Sequence, residues 1–215
     1  MKNLFTNKEG GKIVSDLIKT IQANKNYLSD LDGAIGDGDH GINMNKGFTR
    51  CEQELNRNPG DLAYSLKMLS QILMREIGGS MGPLYGMFFE GMASECVDQE
   101  VVDAKTFGKM LMKGEALIKE IGNAEVGDKT LLDTLVPAVQ SYTEQIEMGK
   151  GFNEGLAEMK KAAVRGRDST KEMIARVGRA SRLGERSRGV LDAGATSCCL
   201  ILLSMADSII ALIEN

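Results

Sequence analysis

The sequence has no tryptophan, and aromatic residues make up only 5% of its 215 positions. Period-two alternation of β-branched residues is scarce as well, which removes the main signal for a sheet. Proline is limited to three residues, and no low-complexity linker or internal repeat divides the chain. A lone histidine, with no thiolate placed near it in sequence, argues against a zinc site. The four cysteines (Cys51, Cys96, Cys198 and Cys199) lack CxxC spacing and read as buried thiols of a reducing compartment. Positive charge is not in excess: the net charge of −4 excludes general nucleic-acid binding, which needs a basic footprint. The opening Met1-Lys2-Asn3-Leu4-Phe5-Thr6-Asn7 has no signal-peptide pattern, so the expected location is cytoplasmic.

What the chain does contain is helical periodicity broken by glycine. Ile13, Leu17, Ile18 and Ile21 predict a first helix near 10–29. Ile42, Phe48, Cys51 and Leu55 mark a second, and Leu62, Leu66, Leu69 and Leu73 a third that ends at Gly78-Gly79. Pro83 suits the first turn of a fourth helix running through Met92 and Cys96. Others are expected near 104–121, 130–147, 152–165, 168–181 and 194–213, with Pro137 either kinking the 130–147 helix or marking its start. The apolar stretch Ala195 to Ile213 is interrupted by Asp207 and reads as a buried core helix, not a membrane span. The expected architecture is a single all-α domain, a bundle of about eight antiparallel helices. Thirteen methionines suit its irregular core, a Met-rich binding groove being the sharper alternative.

The most informative run is Asp32-Gly33-Ala34-Ile35-Gly36-Asp37-Gly38-Asp39-His40-Gly41-Ile42-Asn43. Carboxylates packed this closely repel one another unless a cation sits among them. Hard oxygen ligands point to Mg²⁺ or Ca²⁺, and Mg²⁺ is usually shared between carboxylates and substrate phosphates. The glycines let Asp32, Asp37 and Asp39 converge, and His40 to Asn43 then open a helix whose free N–H groups attract anions. His40 reads either as a structural residue or as a phosphate contact. Gly78-Gly79-Ser80-Met81-Gly82-Pro83 is either a plain connector or a second set of backbone donors.

Three motif matches fail on context. Gly36 to Gly41 satisfies GxGxxG, yet a helix precedes it and two aspartates inside it would repel a pyrophosphate. Gly122 to Thr130 is one residue from a Walker A loop, but Asp128 shifts Lys129 out of register and no strand leads in. An EF-hand starting at Asp37 would need ligands where Gly41 and Phe48 stand. Between Lys160 and Arg188 ten Lys/Arg face three Asp/Glu, which reads as a solvated helix face or as a cationic wall for phosphates or an acidic partner. The glycine-broken part, 178–187, suggests a mobile loop.

The ordered set Asp32…Gly36-Asp37-x-Asp39-His40-Gly41-x-Asn43, Gly78-Gly79-Ser80-x-Gly82-Pro83-Leu84, Gly127-Asp128-Lys129-Thr130 and Gly178-Arg179-Ala180-Ser181…Asp192-x-Gly194-Ala195-Thr196-Ser197 resembles the nucleotide-binding L subunits (DhaL) of dihydroxyacetone kinases. The resemblance extends over nearly the whole chain and implies one DhaL-type phosphotransferase domain over 1–215, a barrel of eight antiparallel helices. It implies two Mg²⁺ held by Asp32, Asp37 and Asp39. His40, Gly41, Ile42, Asn43, Ser80 and Met81 would contact phosphates and the metal region. Gly122, Leu131, Arg179, Asp192, Ala193 and Gly194 would surround the adenosine and form a closing loop.

In some relatives this domain is fused to a dihydroxyacetone-binding domain; ending at Asn215, this chain resembles the stand-alone subunit of the phosphotransferase-system form. There ADP/ATP is a retained coenzyme, a phosphohistidine protein (DhaM) recharges it, and the γ-phosphoryl goes to dihydroxyacetone on a K subunit (DhaK). No nucleophile is implied on this chain. Competing expectations are a kinase subunit for another ketose such as a tetrulose, a fatty-acid kinase module, a phosphohistidine carrier using His40, and a metal-dependent regulatory module.

Overall fold

A computed structural model of the protein describes residues 3–214. A short strand β1 (Leu4–Thr6) leads into α1 (Asn7–Ala23) and α2 (Lys25–Ile35). Helices α3 (His40–Arg57), α4 (Leu62–Glu76) and α5 (Met81–Cys96) follow, then strand β2 (Val101–Asp103) and α6 (Ala104–Ile121). The chain continues through α7 (Leu132–Glu147) and α8 (Phe152–Ser169), two 3₁₀ segments (Thr170–Glu172 and Arg179–Ser187) and α9 (Ala193–Glu214). The all-α expectation holds, apart from the β1–β2 pair, which is antiparallel with Phe5 opposite Val102.

Helix packing closes into a ring. α4 packs on α5, α5 on α6, α6 on α7, α7 on α8, α8 on α9, α9 on α1 and α1 on α4, with α3 seated against α1, α2 and α4. Connections of four residues (58–61, 77–80, 148–151) force successive helices to run antiparallel. Apolar side chains from every long helix meet in one core that includes Leu17, Phe48, Leu69, Phe89, Leu111, Leu135, Leu156 and Leu202. Phe5, Phe107, Tyr142 and Phe152 form an aromatic cluster within it, with ring centroids 5.4 to 6.4 Å apart. Cys51, Cys96, Cys198 and Cys199 are all buried free thiols. Among the described residues α9 alone is long and apolar enough to cross a membrane, and most of it is buried in the bundle.

The antiparallel order gives the ring two unlike ends. At one end, buried Asn7 donates to the Cys96 and Gln99 carbonyls (2.7 and 2.9 Å) and accepts the Ala63 amide (3.1 Å), tying the starts of α1 and α4 to the end of α5. Three of the four helices that start there (α1, α4 and α6) have a leading amide met by their N-cap side chain, and at α8 a side chain meets the amide just ahead of the helix. Thr6 and Glu9 form a capping box, Asp61 accepts the Tyr64 amide, Asp103 the Thr106 amide, and Glu154 the Gly151 amide. The opposite end gathers the segments 36–39, 77–80, 122–131 and 170–192, which lead into α3, α5, α7 and α9.

Three expected boundaries are corrected. The helix read at 10–29 is two helices divided at Asn24, so Asp32 and Gly33 close α2 instead of opening a loop. The helix read at 168–181 is the end of α8, a single 3₁₀ turn, extended backbone at Met173 and the start of a longer 3₁₀ segment. Helix α7 begins at Leu132 and runs through Pro137, which therefore does not mark its start.

Candidate functional site

The open end of the ring brings most of the expected residues together. Asp32 stands in the last turn of α2, while Asp37 and Asp39 lie on the short bend before α3. One carboxylate oxygen from each falls within 4.8 Å of the others. The bend is held tight because Gly41 packs on α2 so closely that a Cβ there would overlap the Lys25 carbonyl oxygen. The His40 amide donates to Asp32 Oδ2 (3.3 Å), turning the carboxylate toward the start of α3. No thiolate or second imidazole joins the cluster, and this hard-oxygen set fits Mg²⁺.

Arg179 reaches across from the 3₁₀ segment. Its guanidinium pairs with Asp37 and lies 3.9 Å from Asp39. It thus stands at the carboxylates, on the segment that the resemblance expects to surround the adenosine and close over the site. One guanidinium, on a largely exposed side chain, offsets part of the charge of the three carboxylates.

Behind the cluster, His40 Nε2 lies 2.9 Å from Ser197 Oγ, which in turn lies 2.6 Å from the buried Tyr85 hydroxyl. Both hydroxyls are within 3.1 Å of the Gly194 carbonyl. Burial lowers the His40 imidazole to about 4, with Asp32 opposing the shift, so the ring is neutral at pH 7. Sequence reasoning did not place Tyr85 or Ser197 in the site. Ser197 stands inside a quoted motif, and Tyr85 directly follows another.

The remaining expected residues fall around this centre. Ile42, on the first turn of α3, is 53% exposed, and the Asn43 amide bonds back to Asp39. Ser80 and Met81 open α5, the helix that carries Tyr85. Gly122 ends α6 beside Leu84 of α5, and buried Leu131 packs against Gly194 at the start of α9. Asp192 caps α9 by accepting the Ala195 amide (2.7 Å), with Ala193 buried next to it. Burial raises the Asp192 carboxyl to about 6, against the pull of that amide and of Lys129.

Two of the helix N-termini gathered here differ from those at the far end. Asp39 and Ser80 are of types that normally cap a helix, yet neither side chain caps its own. The His40 amide is taken by Asp32, but the Gly41 and Ile42 amides of α3 and the first amides of α5 keep anion-binding capacity next to a carboxylate cluster suited to cations. The pairing suits a polyanion bridged to protein through metal.

Comparisons with known proteins identify relatives of the chain. A family model described as the DAK2 domain matches residues 34–207. The chain is 38% identical over 193 residues to the ADP-binding subunit DhaL of a PEP-dependent dihydroxyacetone kinase from Listeria innocua, a match covering 89% of this chain and 91% of that one. It is 37% identical over 181 residues to the corresponding DhaL subunit of Escherichia coli, covering 84% and 86%. Its fold is similar to the dihydroxyacetone kinase of C. freundii solved with AMP-PNP and Mg²⁺, with a TM-score of 0.68 and 25% identity. That likeness covers 92% of this chain but 33% of the kinase, so the chain spans about a third of that protein. The chain belongs to the DAK2-domain family, in which it stands with the DhaL subunits.

Proposed function

We propose that this chain is the ADP/ATP-binding subunit of a phosphoenolpyruvate-dependent dihydroxyacetone kinase, acting throughout 1–215 as one cytoplasmic phosphotransferase domain. The observation that carries the reading is the join of three convergent carboxylates to two uncapped helix N-termini at one end of the ring. Asp32, Asp37 and Asp39 would hold Mg²⁺, two ions in this reading, and the free amides of α3 (Gly41, Ile42), between His40 and Asn43, and of α5 (Ser80, Met81) would take phosphate oxygens. Bound Mg²⁺ supplies neutralisation of the charge on those oxygens.

Phosphoryl transfer asks mainly for positioning and charge balance, so no nucleophile is needed on this chain. His40, neutral and anchored to Ser197, adds a polar contact without a further charge. Arg179 can exchange its carboxylate partner for a phosphate once cations occupy the cluster. Gly122, Leu131 and Asp192 to Gly194 enclose the nucleoside side. A DhaM-type phosphohistidine protein would recharge ADP, and a DhaK-type subunit would present dihydroxyacetone or a related ketose to receive the γ-phosphoryl. A phosphohistidine carrier at His40 is disfavoured because the ring is half-buried and its Nε2 is engaged by Ser197.

The test is to denature freshly purified protein and identify the released small molecule by mass spectrometry. Near-stoichiometric ADP or ATP is expected, with Asp37→Ala losing it while circular dichroism stays helical. Wild-type-like nucleotide content in Asp37→Ala would sink the metal assignment. An empty wild-type protein that carries acid-labile phosphate on His40 would replace the kinase reading with the carrier.

A further inference from the structure

Lys129 stands in the loop whose sequence imitates a phosphate-binding lysine, yet its side chain is only 2% exposed. Its ammonium donates to the carbonyls of Val190 (2.6 Å), Ser187 (2.7 Å) and Met173 (3.2 Å). An ammonium has three N–H donors, so none is left for a phosphate. The backbone at Lys129 is left-handed (φ 64°), uncommon for a residue with a Cβ, and that turn directs the chain inward. Asp133 fixes the loop from α7 by accepting the Gly127 and Thr130 amides at 2.6 and 2.7 Å.

All three carbonyls belong to the segment 173–190, which carries Arg179 to the aspartate cluster and leads into Asp192. The segment has little of its own to hold it. Gly178, Gly184 and Gly189 take positive φ with open space around them, and Arg176, Arg182, Arg186 and Arg188 are exposed. Its other ties are the Arg176 amide on the Asp128 carbonyl (3.1 Å) with an ion pair between the same two side chains (3.7 Å), the Arg179 pair with Asp37, packing of 179–187 on α2, Ser187 Oγ between Ala175 and Gly184, and bonds from Arg188 and Gly189 back to the Glu172 and Lys171 carbonyls.

We propose that Lys129 is a positioning residue that pins the 173–190 segment over the site, so that Arg179 and Asp192 face a bound nucleoside diphosphate and its release is slowed. This rests on the nucleotide-site reading above. Without the pin the segment swings free, while the helical ring, which does not depend on it, stays closed.

The test uses Lys129→Met, which keeps the length and removes the donors, and Lys129→Gln, which keeps some of them. Hydrogen exchange should rise at least about tenfold in 173–190, with α1, α4 and α9 as protected as in wild type. ADP dissociation measured in Mg²⁺ should accelerate at least about tenfold in Lys129→Met and less in Lys129→Gln. With both partner proteins added and ADP saturating, turnover should stay within about twofold of wild type, because the pin acts on retention and not on the transfer. A rise in exchange across all helices would make Lys129 a structural residue and overturn the proposal. So would a loosened segment with unchanged ADP release. Should Lys129→Met fail to fold, Lys129→Gln decides on the same criteria. A wild-type protein that binds no ADP would remove the nucleotide reading and this inference with it, whereas local exchange without faster release removes only the inference.

Discussion

Asp192 accepts an amide at the head of α9 while burial pushes its carboxyl up to about 6, well above the range of an unfolded chain. A folded value above the unfolded one means that the native state holds the proton more tightly. The stability this contributes is complete below about pH 4 and is lost as pH rises through 6. Asp192→Asn keeps the amide contact and removes the titration. The stability of Asp192→Asn relative to wild type, by urea unfolding without Mg²⁺, should therefore increase by up to about 3 kcal/mol between pH 4 and 7.5. A difference that does not change with pH would mean that the carboxyl is already ionised in the acidic range. Ser197 makes a second case. Ser197→Ala leaves the His40 Nε2 and Tyr85 hydroxyl without their shared partner, at a cost of about 1–3 kcal/mol. In a thermal melt that is a fall of several degrees, and an unshifted Tm would show that water replaces the hydroxyl. The aspartates were legible because three of them and the histidine fall in one short run. The His40–Ser197 contact was not, since its partners lie 157 residues apart and only the closure of the ring brings them together.

Among the elements, α7 and α8 meet where each is atypical. Pro137 in α7 has no N–H for the Asp133 carbonyl one turn earlier, and Gly166 of α8 packs directly on that oxygen. A Cβ at Gly166 would overlap backbone, which cannot move as a side-chain tip can. Gly166→Ala should cost about 3 kcal/mol, toward the top of the overpacking range, as read by chemical denaturation. A cost near zero would show that α7 and α8 can slide apart. Periodicity made the long amphipathic helices readable, because α1 and α4 bury the apolar residues the spacing marked and α3 buries all of them except Ile42. It failed in two ways. At Asn24 the chain changes direction with no glycine or proline to announce it. At 168–181 the local sequence was read as helix, whereas Lys129 and the Thr170 hydroxyl, which accepts the Asp192 amide, hold the chain in another shape. The three-residue strands were missed because Leu4–Thr6 and Val101–Asp103 are too short to establish alternation.

For the molecule as a whole, stability and chemistry are assigned to opposite ends of one ring. The basic stretch that stood out in an acidic sequence divides along the same line. Lys160 and Lys161 on α8 pair with Asp207 and Glu158, the solvated-face reading, while Arg179 alone among those positions pairs with the aspartate cluster. The ring closes by α1 packing on α9, where Thr20 Oγ1 donates to Ser204 Oγ (3.0 Å) and Ser208 Oγ to Asp16 (2.8 Å). During synthesis this has a consequence for the nascent chain. Helix α1 is made well ahead of α9, which starts only at Ala193, so the part of α1 that α9 covers waits for its partner surface until then, while α3 and α4 are already available to cover the rest. A growing polypeptide halted before Ala193 would keep that part of α1 exposed on the ribosome, a target for chaperones until α9 arrives.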